Sequence, residues 1–285
     1  MRVKDKLTYQ VLILFKKFLS NVKPKKRFWF ATLISKFVYY IIPIRKHVAE
    51  KNLRIAFPSL SNKKLNIIIR NTYTFFFHNI IEFLAFPKSW VEIHIKVEGE
   101  HYIKDALKNN NGTILVSGHF GSWEILGSWI GRNFPLFTGV AIKQKNLGAH
   151  KFFIEQRELA GTKHIFKRDS ISKMYDVLSK NGILGLVSDQ DARKSGVFIK
   201  FFGKAASTSK GAALFHLKTR APIIVALCNQ IEYNKYYINM IPVNTSNKTV
   251  KEITQIYTSI LEKNIIKYPE QYFWFHRRWK TKIKK

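Results

Sequence analysis

This 285-residue chain is short of acidic residues relative to basic ones and nearly without cysteine. The single cysteine, Cys228, excludes a disulfide framework within the chain and any multi-cysteine metal site. It closes an apolar run, a place that suits core packing better than nucleophilic chemistry. Asp and Glu number 18 against 49 Lys and Arg, a formal charge of +31. That field favours an anionic partner: nucleic acid, an anionic membrane surface, a phosphorylated substrate or an acidic carrier protein. Internal repeats and Gly/Ser linkers are missing, so one domain is the simplest organisation. No small-residue cleavage site follows the basic N-terminus, and no cleavable signal peptide is expected. Several chemistries lack their motifs. Without Gly-x-Ser-x-Gly a serine hydrolase has no evident nucleophile, and without His-Glu-x-x-His a zinc hydrolase has no ligand set. Gly196 and Gly203 stand too far apart for a phosphate loop, and Ala205 occupies the Ser/Thr position, which excludes a nucleotide site.

Aromatics are plentiful: 23 Phe, 12 Tyr and 6 Trp. They suit a large core and also a seat at a lipid interface. Residues 28–44 (FWFATLISKFVYYIIPI) are the best membrane segment. As a helix this stretch would reach about 25 Å, short of the roughly 30 Å hydrocarbon core. Lys36 near its middle and Pro43 near its end also oppose a span, so a helix lying in the interface is expected. Residues 1–90 read as a basic, helical, membrane-associating region.

From residue 91 to 285 the texture changes to short apolar runs alternating with amphipathic segments. The strand candidates are Thr113–Ser117, 137–142, 183–188, 222–227 and 236–241. Between and after them, helices are expected at 122–130, 149–160, Ile171–Ser179, 208–219 and 250–266. Apolar rather than alternating strands, interleaved with helices, predict an α/β fold with a mostly parallel central sheet covered by helices.

A histidine followed five residues later by a carboxylate occurs three times, at His119/Glu124, His150/Glu155 and His164/Asp169. Chance alone gives about 0.6 such pairs, so context decides. His150 and Glu155 fall in one helical pattern, about 140° apart around the axis. His164 and Asp169 flank Lys167 and Arg168 and read as solvated surface. His119 differs: it follows a strand candidate, between Gly118 and Gly121, and Glu124 falls in the first turn of the next helix. Open α/β sheets place their sites at such strand ends. His119 then serves as general base, Glu124 orients its imidazole, Ser122 caps the helix, and the amides of Ser122 and Trp123 are oxyanion donors. The reaction drawn from these groups needs no metal and no cofactor.

Five ordered blocks carry a resemblance: 45–58 (RKHVAEKNLRIAFP), 116–124 (VSGHFGSWE), 189–191 (DQD) with 196–208 (GVFIKFFGKAAST), 221–225 (APIIV) and 269–280 (PEQYFWFHRRWK). Together they resemble the lipid A biosynthesis (lauroyl/myristoyl) acyltransferases of Gram-negative bacteria, within the lysophospholipid acyltransferase superfamily. The likeness implies acyl transfer from an acyl-carrier-protein thioester to a hydroxyl of a lipid A precursor, in lipopolysaccharide biosynthesis, at the cytoplasmic face of the inner membrane. Acyl carrier protein, the lipid A precursor and anionic membrane lipids are the implied partners, with no nucleic acid among them. Lys143, Asp189, Gly203, Arg277 and Arg278 fall in the blocks or positions that the likeness associates with substrate binding. The same chemistry could serve another acceptor, a lysophospholipid or a phosphatidylinositol mannoside. A non-catalytic basic membrane-binding protein is the reading of a different class.

Overall fold

The computed structural model describes residues 1–166, 169 and 171–283; Lys167 and Arg168 lie outside the described residues. Four helices come first: α1 (Val3–Leu19), α2 (Pro24–Tyr40), α3 (Lys46–Ala56) and α4 (Asn62–Leu84). Then follow β1 (His94–Glu98), α5 (Glu100–Lys108), β2 (Thr113–Ser117), α6 (Trp123–Asn133), β3 (Phe137–Ala141) and α7 (Leu147–Glu158). The remainder is β4 (Lys163–Phe166), α8 (Ile171–Ser179), β5 (Ile183–Val187), β6 (Val197–Phe201), β7 (Lys204–Thr208), α9 (Gly211–Thr219), β8 (Ile223–Glu232), β9 (Lys235–Pro242) and α10 (Val250–Lys267).

Seven strands form one sheet in the order β1-β9-β8-β2-β5-β3-β4. Every neighbouring pair is parallel except β8 and β9. The expected α/β architecture is therefore the observed one. Its central strands are mostly apolar, as expected where helices cover both faces. Ile114, Val116, Ile223 and Val225 point into a core with α4, α9 and α10. Leu115, Ile224 and Ala226, one residue out of phase, point into a core with α5 and α6. Leu65, Ile69, Tyr73 and Phe76 of α4 join the first core, so α4 packs as part of the α/β body although it precedes residue 91.

Local chemistry sets the helix limits. Pro24 stands at the first position of α2, Ser61 caps α4, and Thr249 with Glu252 closes a capping box on α10. The expected helix from 208 begins instead at Gly211, because Lys204–Thr208 pairs with Val197–Phe201 as an antiparallel hairpin. Phe202 and Gly203, both at positive φ, make its two-residue turn.

The N-terminal helices are fastened by a buried charge cluster. Arg27 of α2 is 1% exposed and donates to both oxygens of Glu82 on α4, at 3.0 and 2.9 Å, and to Glu92. Pairing offsets the desolvation of three charges, and cutting one out would strand the others. The opposite faces of these helices are apolar and exposed: Leu7, Leu14 and Phe18 on α1; Trp29, Leu33, Phe37 and Tyr40 on α2. Lys4, Lys6, Lys17, Lys25, Lys26 and Lys36 stand exposed among them. Among the described residues, no helix is long and apolar enough to cross a membrane.

Candidate active site

β2 and β5 run side by side in parallel, with Ser117 opposite Val187. Two residues past that pair, at the carboxyl ends of both strands, stand His119 and Asp189. His119 Nδ1 lies 2.8 Å from Asp189 Oδ1. Asp189 is 4% exposed, whereas the His119 side chain keeps 28% of its surface open. Gln190 Nε2 sits 3.3 Å from His119 Nε2. With Asp189 accepting from Nδ1–H, Nε2 is left as the acceptor, the tautomer a general base requires. Burial works against the His119 cation, but the Asp189 charge and hydrogen bond outweigh it and hold the imidazole pKa above its usual value. Burial likewise opposes the Asp189 carboxylate, and the pairing with His119 still holds its pKa below the usual value.

This arrangement changes two expected roles. Glu124 does not hydrogen-bond the imidazole; Asp189, 70 residues on, takes that place. Glu124 receives a two-pronged ion pair from Arg157 of α7, Nε to Oε2 at 3.0 Å and Nη2 to Oε1 at 2.6 Å. The Trp123 indole adds a hydrogen bond to Glu124 Oε1 at 3.2 Å and packs its ring edge-on to His119. Arg157 escaped the sequence reading because nothing near it marks a motif and its partner lies 33 residues away on another helix.

The expected oxyanion donors also separate. Ser122 N–H is already bonded to the Cys228 carbonyl at 2.8 Å and is not available. Ser122 Oγ donates to Asn79 Oδ1 rather than capping α6. Trp123 N–H begins the helix and has no intrahelical acceptor. Gly121 explains the tight approach: at φ +61°, an added Cβ would stand 2.0 Å from the Cys228 oxygen. Cys228 is fully buried and burial pushes its thiol pKa up, which fits core packing.

The other histidine pairs fall away. On α7, Glu155 accepts from Tyr9 at 2.7 Å, and burial, then Lys143 and Arg157, hold His150 below its usual pKa. His164 is half-buried on β4 rather than solvated; burial, then Arg157, pushes it down to about 4. Asp169 accepts from the Phe166 amide at 3.1 Å.

The motif blocks, distant in sequence, meet around this loop. Phe273 N–H donates to the His119 carbonyl at 2.9 Å, and Gly121 N–H to Gln271 at 2.8 Å. Asn52 reaches the carbonyls of Trp274 and His276, both at 2.6 Å, and Arg45 that of Phe275 at 3.1 Å. The Asp191 amide donates to His276 Nε2 at 3.1 Å. Arg278 is 1% exposed and donates to the Ser207 carbonyl at 2.7 Å and to Thr208, with its guanidinium over Phe201. It clamps the C-terminal segment to the β6–β7 hairpin, and its burial leaves it off the surface where the expected substrate contact would be made. Gly203 is likewise a turn residue at the exposed tip of the β6–β7 hairpin. Lys143 and Arg277 are exposed.

The description of bacterial lipid A biosynthesis acyltransferases fits residues 7–281 as a family match. The chain belongs to that family. It is 27% identical over 245 residues to the lipid A biosynthesis palmitoleoyltransferase of Escherichia coli K12, covering 84% of this chain and 79% of that one. To the lipid A biosynthesis lauroyltransferase of the same strain it is 24% identical, over 84% of this chain and 80% of that one. The phosphatidylinositol mannoside acyltransferase of Mycolicibacterium smegmatis is 27% identical over 62% of this chain and 60% of that one. This family member is an acyltransferase, and the stitched loop of His119 is where its blocks converge. A cavity of about 30 Å³, room for a water or two, has Asn79, Glu82, Phe83, Phe86, Trp90 and Glu124 in its walls.

Proposed function

We propose that this acyltransferase moves a fatty acyl group from an acyl-carrier-protein thioester to a hydroxyl of a lipid A precursor, with His119 as general base. The observation that carries the reading is the His119–Asp189 pair, which fixes the imidazole with Nε2 free to accept a proton. The acceptor hydroxyl displaces Gln190 from Nε2, loses its proton there and attacks the thioester carbonyl. Trp123 N–H at the start of α6 stabilises the oxyanion, and Arg157, held by Glu124, adds a nearby positive charge. Collapse of the tetrahedral intermediate breaks the C–S bond, and the imidazolium returns its proton to the departing thiolate. Atoms and charge balance without a metal or a cofactor.

The partners follow from charge and surface. A basic protein attracts an acidic carrier, and Lys143 and Arg277 supply cations for the phosphates of the acceptor. The exposed stripes of α1 and α2 seat the enzyme in an anionic membrane leaflet, the cytoplasmic face of the inner membrane, where both substrates meet. A different lipid acceptor is the second reading, because some relatives are named for a mannoside acceptor.

The test offers the purified enzyme labelled acyl-carrier protein with a phosphorylated glucosamine disaccharide lipid, a lysophospholipid or a phosphatidylinositol mannoside. Label should pass to the disaccharide lipid at least about 100-fold faster than to the others, a floor below the roughly 10⁴–10⁵ that sites hydrogen-bonding their substrate can reach. Transfer chiefly to another lipid would overturn the acceptor assignment and leave the chemistry standing.

A further inference from the structure

The α1 helix has two faces with different work. Its outward stripe, Leu7, Leu14 and Phe18, is apolar and uncovered, flanked by Lys4, Lys6 and Lys17. Its inward stripe lies on α7. There Tyr9 donates to Glu155 at 2.7 Å, and Asn146 donates to Thr8 at 3.0 Å. Gly148 lets the backbones touch; a Cβ there would stand 1.8 Å from the Asp5 carbonyl oxygen. Lys16 donates to Gln156 Oε1.

Gln156 is 1% exposed and joins three elements. Besides accepting from Lys16, its amide donates to the carbonyls of Phe83 at 2.9 Å and Phe86 at 3.4 Å, at the end of α4. The next residue is Arg157, whose guanidinium holds Glu124 beside His119. The rotation of this last turn of α7 therefore fixes where Arg157 points, and Lys16 sets one side of it.

We propose that α1 is a lipid-seated strap that positions Arg157 through the Lys16–Gln156 contact, so that docking on an anionic bilayer raises the rate of acyl transfer. The proposal rests on the role given above to the Glu124–Arg157 pair. Helices in proteins draw most of their stability from packing rather than propensity, so α1 depends on what covers both its faces. Lipid on the outward face favours the ordered strap, and the ordered strap favours the aligned Gln156. Linkage makes the coupling reciprocal. The occupant of the outward face is a bilayer with anionic headgroups, because lysines flank its apolar stripe and the stripe of α2, with Trp29, Leu33 and Phe37, repeats the same pattern.

The experiment measures kcat on a water-soluble short-chain glucosamine phosphate acceptor, with and without phosphatidylglycerol-containing vesicles that carry no acceptor. Wild type should gain about 5-fold or more on adding vesicles, a typical size for coupling between sites. Lys16→Met should bind vesicles as wild type does, melt within a few degrees of it and lose that gain, while Lys16→Arg restores it. Gln156→Ala should behave as Lys16→Met; if it fails to fold, the Lys16 pair still decides. No vesicle gain in the wild type, or an undiminished gain in Lys16→Met, would overturn the strap. Arg157→Ala separates the two ideas: if it keeps full turnover, the role of the Glu124–Arg157 pair fails; if it loses turnover while Lys16→Met keeps its gain, only the strap fails.

Discussion

His119→Ala is expected to lose at least about 100-fold in turnover while binding anionic vesicles as tightly as wild type. A positioned general base contributes about 10²–10⁴ in rate, and His276, which lies near enough to feel the charges of His119 and Asp189, has its Nε2 occupied by the Asp191 amide. His150 and His164 are tied to other structure, on α7 and β4. The proposed membrane contact is made by the exposed stripes of α1 and α2, not by the β2–α6 loop, so vesicle binding should persist. The substitution also leaves Asp189, 4% exposed, without its partner, which costs stability of about 1–3 kcal/mol. Thermal melting followed by circular dichroism therefore accompanies the kinetics, so that a rate loss is read only on folded protein. Turnover within about 3-fold of wild type would remove His119 from the mechanism.

Asp189→Asn should cost about as much and leave a different signature. The amide can present a donor to Nδ1, and the imidazole then carries its proton on Nε2, the wrong nitrogen for a base; such a tautomer change costs up to about 10⁴ in kcat. The pH profile moves as well. Asp189 raises the pKa of His119, and the base works only when neutral, so in wild type activity falls as pH drops through that raised value. Without the carboxylate the pKa falls, and the acid limb of kcat/KM shifts to lower pH even as the maximum rate drops. The stability signs agree. The His119 cation contributes stability below its unfolded pKa and loses it as pH rises through the raised folded value; Asp189 contributes above its unfolded pKa and loses it as pH falls through its depressed folded value. An acid limb that stays in place, with a loss below about 10-fold, would assign the orienting role elsewhere.

Much of the sheet was legible because its strands are continuous apolar runs. Thr113–Ser117 and Ile171–Ser179 fall where composition puts them, and Ile183–Val187 within one residue. The polar, edge-lying β1 and the β6–β7 hairpin were not legible, since neither presents a long apolar run. In the site, His119 could be read from its glycine-flanked place after a strand. Its partner could not, because the His119–Asp189 contact follows from the register of β2 against β5 rather than from local spacing. The carboxylate five residues on was the natural choice, and it turned out to hold Arg157. Arg278 shows the same limit in reverse: a charge in a motif looked like a substrate contact, yet folding buries it against the β6–β7 hairpin. Ser122 lost its oxyanion role to a backbone bond with Cys228, a contact between residues 106 positions apart.

The most direct measurement of the central claim is mass spectrometry of total lipids from cells lacking this gene, complemented with the wild-type chain or with His119→Ala. The account predicts lipid A short of one acyl chain, restored by the wild type and not by the variant, the mass difference naming the acyl group. Lipid A unchanged in the absence of the gene, with any second enzyme of the same activity also removed, would contradict it.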